Sequence, residues 1–179
     1  MKGVVFTEFM DHLERAYGPV LVDDVITSSG VETRGAYTSV GTYPCSELVR
    51  LISAMSSISG LGIPQIIRQF GEQLAVSFKR DHPQYYDNIG YFDFVEAVEN
   101  RIHVDVLKLY PDAELPRFFT VSRSERKLVI DYLSARHLEE LAYGLLLGTA
   151  RHFDENVSIS MQPIKRDEGT CIRFEIVRS

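Results

Sequence analysis

Three polar side chains stand two residues apart about three-quarters of the way along the chain: Tyr132, Ser134 and Arg136. A phenol, a hydroxyl and a guanidinium can all donate hydrogen bonds, and at the end of an extended strand residues two apart share a face. Arginine's planar fork matches a carboxylate with two bonds at once. The row therefore suits a molecule with two adjacent carboxylates, such as the edge of a haem. A solvated strand face with an arginine at a helix start carries the same residues, so the row alone leaves both readings open. His103 lies upstream in Glu96–Pro116, EAVENRIHVDVLKLYPDAELP, beside the apolar stripe Val95, Val98, Ile102, Val106 and Leu109. Neutral imidazole is a good ligand for iron, and a helix is a rigid platform from which to present one. A single histidine has no spacing signature, and a hydrogen-bonded or surface histidine is equally compatible with it.

The elements that must position these residues follow from periodicity. Val4, Val5, Phe9, Leu13 and Tyr17 recur at helical spacing, so Lys2–Tyr17 reads as an amphipathic helix ended near Gly18-Pro19. Val20–Ser29 reads as a second short helix stopped by Gly30, residues 31–44 as loop, and Ser46–Ser59 as a third helix. Pro64 opens a fourth, whose Ile67, Phe70, Leu74 and Phe78 make one apolar face. Gly71 in its middle costs about 1 kcal/mol relative to alanine; close packing on a neighbour and close approach to a cofactor both explain it. Asp81–Gly90 is a turn-rich connector to the His103 helix. After Pro116 the period changes from about 3.6 to 2. Phe118–Ser122 and Lys127–Leu133 read as strands, Arg136–Phe153 as a largely buried helix, and the alternating residues 157–161 and 172–176 as a terminal hairpin turning at Asp167–Gly169. The expected class is α+β, with a helical N-terminal subdomain over about 1–62. A mixed subdomain over about 63–179 would carry a small antiparallel sheet of about four strands.

Composition narrows the function classes. The chain has 179 residues, 45% of them hydrophobic, with a net charge of −6 and no basic block. A nucleic-acid or anionic-membrane surface is a poor fit. Cys45 and Cys171 form no CxxC pair, which suits a reducing compartment. The N-terminus acquires acidic residues too early for a signal peptide, and the apolar run 138–150 is too short to span a bilayer. The expectation is one cytoplasmic domain. No nucleophile–base pair, phosphate loop or paired catalytic carboxylate stands out, and His137, His152 and Cys171 lack metal-ligand spacing.

Taken together, the motifs resemble those of the H-NOX family, the haem nitric oxide/oxygen-binding domains related to the haem domain of soluble guanylate cyclase. An N-terminal Met1-Lys2-Gly3 helix comes first, then a helix with proline at its start and the histidine. A proline just past the histidine helix, Tyr-x-Ser-x-Arg and a glycine-containing buried helix follow in the family's order. The likeness runs over essentially the whole chain and matches a stand-alone bacterial member in length. It implies haem b between the two subdomains, with His103 as the axial iron ligand. It also implies that Tyr132, Ser134 and Arg136 hold the propionates and that Pro116 presses on the porphyrin.

Oxygen-binding members of the family carry a distal tyrosine, supported by tryptophan and asparagine. The aligned positions here are Leu141, Phe9 and Leu74, with Val5, Phe78 and Leu145 one helical turn from one of them. Bound oxygen develops negative charge and needs a donor, which an apolar wall does not supply. The resemblance thus implies a sensor of nitric oxide, able also to bind carbon monoxide, that excludes stable oxygen binding and is not an enzyme. Ligand binding would weaken the His103–iron bond and shift the helical half. The signal would pass to a separate histidine kinase or a cyclic-di-GMP synthase or phosphodiesterase. A haem enzyme of peroxidase or NO-detoxifying type is the rival reading, and it calls for a polar distal group. A fold that has lost its haem is the third, and it sits poorly with an intact histidine and Tyr-x-Ser-x-Arg.

Overall fold

Apolar residues at helical spacing, closed by glycine and proline, lay out the first half of the computed structural model, which describes residues 1–166 and 169–179. Helices α1 (Gly3–Tyr17), α2 (Pro19–Ser29), α3 (Cys45–Ser59) and α4 (Ile63–Asp81) follow one another. Gly18, Gly30 and Gly60 end the first three at positive φ, a conformation glycine adopts without steric cost. Pro19 and Pro64 sit in the first turn of α2 and α4, where the missing N–H would be unbonded anyway.

A short 3-10 turn, Pro83–Tyr85, leads to α5 (Tyr91–Ala97), which runs through a π turn (Val98–Ile102) into α6 (His103–Leu109). Strands β1 (Arg117–Arg123) and β2 (Lys127–Leu133) are followed by α7 (Glu139–His152), β3 (Val157–Arg166) and β4 (Gly169–Arg178). The sheet is antiparallel throughout, in the order β1-β2-β4-β3, and a bulge breaks the β1–β2 register between Thr120 and Ser122. The class is α+β, as the sequence implies. Asp167 and Glu168, where the hairpin turn is expected, lie outside the described residues.

Two corrections concern the stretch after β2. The strand ends at Leu133, so Ser134 and Arg136 are not strand residues but belong to the turn that precedes α7. The helix also starts at Glu139 rather than Arg136, because His137 takes a left-handed φ of 51° that no helix continues through.

Burial divides into two apolar clusters. One gathers Phe6, Phe9 and Leu13 of α1, Leu48, Leu51 and Met55 of α3, and Ile66, Phe70 and Leu74 of α4. The other joins Tyr91, Phe92 and Val95 of α5 to Leu128, Ile130, Phe174 and Ile176 of the sheet and Ala142 and Leu146 of α7. Burial of an aliphatic or aromatic side chain contributes about 1.5–3 kcal/mol, so each cluster stabilises its own half. The loop before α3 is tied down by buried Glu47, which accepts hydrogen bonds from Thr33 Oγ1 and Tyr37 Oη, each at 2.7 Å. On the sheet's other face Asp131 is 1% exposed and accepts from Arg173 Nε and Arg166 Nη1, each at 2.7 Å. Burial alone would raise this carboxyl, but the two guanidinium groups hold it below the usual aspartate range.

The N-terminal cluster takes in α4, which lies past the expected boundary at about residue 62, and the two clusters meet where α4 crosses α7. A Cβ on Gly144 would lie 2.2 Å from the Arg68 carbonyl oxygen, and one on Gly71 2.6 Å from that of Leu141. Gly71 is therefore explained by helix packing. Ion pairs Arg68–Glu140 and Arg151–Glu72 clasp the same crossing. We predict that Gly144→Ala, which must push backbone against backbone, destabilises the fold by about 1–3 kcal/mol in urea unfolding. Stability equal to the parent's would contradict the close approach.

Candidate functional site

His103 is the first residue of α6, and the helix reaches it through an unusual turn. Its backbone N–H bonds to the carbonyl of Val98, five residues back, which is the spacing of a π turn. Val95 is buried, Val98, Ile102 and Val106 are half-buried, and Leu109 is 75% exposed, so the expected stripe ends before the helix does. The His103 side chain is 16% exposed and its ring lies 5.8 Å from that of Phe118. Burial holds its imidazole below the ordinary histidine range, with the Glu99 carboxylate pulling the other way. The ring is thus neutral at neutral pH. Its Nδ1 lies 3.4 Å from Glu99 Oε2, and Nε2 has no hydrogen-bond partner among the described residues.

Tyr132 is buried at the end of β2, packed between the rings of Phe118 and Phe174, and burial pushes its phenol above the usual tyrosine range. The Ser134 hydroxyl is near enough to hydrogen-bond that phenol, and it also accepts the Arg136 backbone N–H at 3.2 Å. Ser134 thus stands between the Tyr132 phenol and the Arg136 main chain, in a turn rather than on a strand. Arg136 is 19% exposed and pairs with Glu114, its Nη2 donating to Oε2 at 2.6 Å. That carboxylate is 84% exposed, so the guanidinium already grips a partner of the chemistry expected of it, and one that can swing into water. A cleft of about 430 Å³ opens beside this turn, lined by Leu115, Arg117, Leu133, Ser134, Ala135 and His137. Pro116 is half-buried just before β1.

The expected distal residues come from three helices. Phe9 of α1 and Leu74 of α4 are buried, and Val5, Phe78, Leu141 and Leu145 pack half-buried against their cluster. Tyr143, the nearby hydroxyl on α7, is turned away: its ring lies under the Arg68 guanidinium and its Oη donates to the Ile159 carbonyl at 3.3 Å. The wall is apolar.

Two features were not read from the sequence. Glu99 stands one turn before His103, a spacing that was open to reading. Glu114 pairs with Arg136 across a turn, and no local pattern announces such a contact. Between the halves, Lys2 Nζ reaches Asp112 Oδ1 at 3.2 Å, while within the N-terminal half Gly3 N–H bonds to the Gly41 carbonyl at 2.8 Å.

A neutral imidazole with a free Nε2, a phenol–hydroxyl–guanidinium group for carboxylates, and half-buried apolar side chains from both halves fit haem. Fold and donor set define a domain suited to hold that cofactor. Residues 2–161 match the family described as haem-NO-binding, and the chain belongs to it, a family of haem-binding gas-sensor domains. Among solved structures it is similar to the H-NOX protein of K. algicida in its unliganded Fe(II) state. The two are 33% identical over 100% of this chain and 97% of that one, with a TM-score of 0.91. Mutants of the S. oneidensis protein (24% identity, 100% and 96% covered, TM-score 0.89) and the T. tengcongensis protein (22%, 100% and 98%, 0.89) share the fold. No curated protein sequence matches the chain.

Replacing His103 with glycine removes the imidazole at a helix cost of about 1 kcal/mol. The variant is expected to lose haem on gel filtration unless imidazole is added. Retention of haem with an unaltered absorption spectrum would show that another side chain ligates the iron.

Proposed function

We propose that this protein is a sensor of nitric oxide that uses haem b and discriminates against oxygen through its distal wall. When bound, the haem would supply a ferrous iron able to take a diatomic gas. His103 offers that iron the Nε2 lone pair. Tyr132, Ser134 and Arg136 hold the propionate carboxylates, Arg136 exchanging Glu114 for a ligand carboxylate. Pro116, half-buried just before β1, would press on the porphyrin.

The observation that carries the choice of gas is the wall itself. Phe9, Leu74, Leu141, Val5, Phe78 and Leu145 contain no hydrogen-bond donor, and Tyr143, which has one, spends it on Ile159. Oxygen gains most from such a donor, since charge builds on its outer atom. Nitric oxide and carbon monoxide do not depend on one.

The output is a conformational shift. His103 stands at the start of α6 and would couple gas binding to movement of α1, which Lys2 ties to Asp112 just past that helix. Such a shift signals only if a partner binds the two states with different free energies. A separate histidine kinase or a cyclic-di-GMP synthase or phosphodiesterase, in the cytoplasm, is the partner class we assign. This role needs no catalytic group in the chain itself.

Leu141→Tyr places a phenol on the distal wall. Oxygen affinity of the reduced protein should then rise about ten- to a hundredfold, the worth of one hydrogen bond to a charged group at about 1.5–3 kcal/mol. An oxygen titration that matches the parent's would show that Leu141 does not face the gas, and would sink the proposed discrimination.

A further inference from the structure

One carboxylate touches both the histidine and the strand that follows it. Glu99 Oε2 accepts the backbone N–H of Phe118 at 3.1 Å and lies 3.4 Å from His103 Nδ1. Its other oxygen, Oε1, is 4.0 Å from Arg117 Nε. The π turn carries Glu99 and His103, four residues apart, onto the same side of the helix, and π turns inside α-helices recur at functional sites. The two distances are unequal in meaning. At 3.1 Å the bond to Phe118 is ordinary, whereas 3.4 Å to the imidazole is long. The carboxylate is anchored by the strand, and the histidine is the party with freedom to approach it or leave.

We infer that Glu99 is a positioning residue for His103: it accepts the Nδ1 proton, fixes the tautomer that leaves Nε2 free to ligate, and latches the imidazole to the start of β1. The inference rests on the reading of His103 as the axial ligand. A histidine ring that donates to a carboxylate is held in one orientation and is made more basic at its other nitrogen. A neutral carbonyl in the same place would do the first more than the second. The charge on Glu99 therefore strengthens the donor that His103 presents, favours ferric over ferrous iron, and opposes loss of the histidine when gas binds. Once loosened, the ring still faces an acceptor held by Phe118, so its return is short. The latch also ties the ring to the segment carrying Pro116, two residues before Phe118.

Two variants separate charge from anchoring. Glu99→Gln keeps the length and the acceptor for Phe118 but removes the charge; Glu99→Ala removes both. In the reduced, haem-loaded Gln variant the iron–histidine stretching frequency should fall and the midpoint potential should rise. In the haem-free protein, amide exchange at Phe118 should stay near the parent's in the Gln variant and become several-fold faster in the Ala variant. Two results would overturn the inference. One is a Gln variant with the parent's stretching frequency. The other is a change in potential with no change in that frequency, which is what loss of a distant charge does. An absent iron–histidine band in the parent would instead defeat the assignment of His103, so the two failures are distinguishable.

Discussion

The contact on which the rest of the structure depends is the crossing of α4 and α7, where missing side chains let two backbones touch. Gly71, Gly144 and Gly148 each face backbone of the opposite helix at distances a Cβ could not tolerate. α4 belongs to the N-terminal cluster and α7 mainly to the sheet cluster, so this crossing joins two cores that otherwise stabilise themselves. It also sets the distal wall. Leu74 and Phe78 follow Gly71 on α4, while Leu141 and Leu145 flank Gly144 on α7, and none is more than about two turns from the contact. Tight packing makes such a crossing stiff, since interiors lose energy with even a methylene out of place. The expected distal residues are apolar, and the helices that carry them are held by three glycines.

The proximal side works by electrostatics instead. Arg136, only 19% exposed, donates both to the exposed Glu114 carboxylate and to its main-chain carbonyl. The guanidinium thus already bonds one carboxylate with the fork that would recognise another. Glu99 acts at shorter range, beside a histidine that burial keeps neutral. One side of the site offers no polar group to a gas, and the other supplies an anchored acceptor and a transferable cation. In the proposed function, gas selectivity would rest on the helices of the crossing and ligation on the π turn and β1.

Legibility in the sequence followed the strength of local pattern. α1, α3 and α4 were readable to within about a residue because an apolar face and glycine or proline punctuation agree there. The strands were readable because alternation begins right after Pro116. The end of β2 at Leu133 was read correctly, but the row beyond it was misread because Ser134 and Arg136 continue an apparent two-residue rhythm. Only the left-handed φ at His137, a backbone property with no composition of its own, reveals the turn. The π turn was invisible for the same reason, since Val98–Ile102 has ordinary helical residues. Site residues came from a constellation spread along the chain, and the structure gathers Tyr132 with Ser134 and Arg136, and Phe9 with Leu74 and Leu141. Glu99 and Glu114 were passed over because a carboxylate near a histidine or an arginine is common, and only tertiary contact singles one out.

The central claim, that a neutral His103 serves a haem whose other side faces an apolar wall, is tested most directly by the visible absorption spectrum of the reduced protein under argon, then air, then nitric oxide. The account predicts a five-coordinate, histidine-ligated ferrous spectrum under argon, no stable oxygen complex in air, and a clear change with nitric oxide. A stable oxygen complex in air would contradict it, for it would require a donor where Leu141, Phe9 and Leu74 supply none.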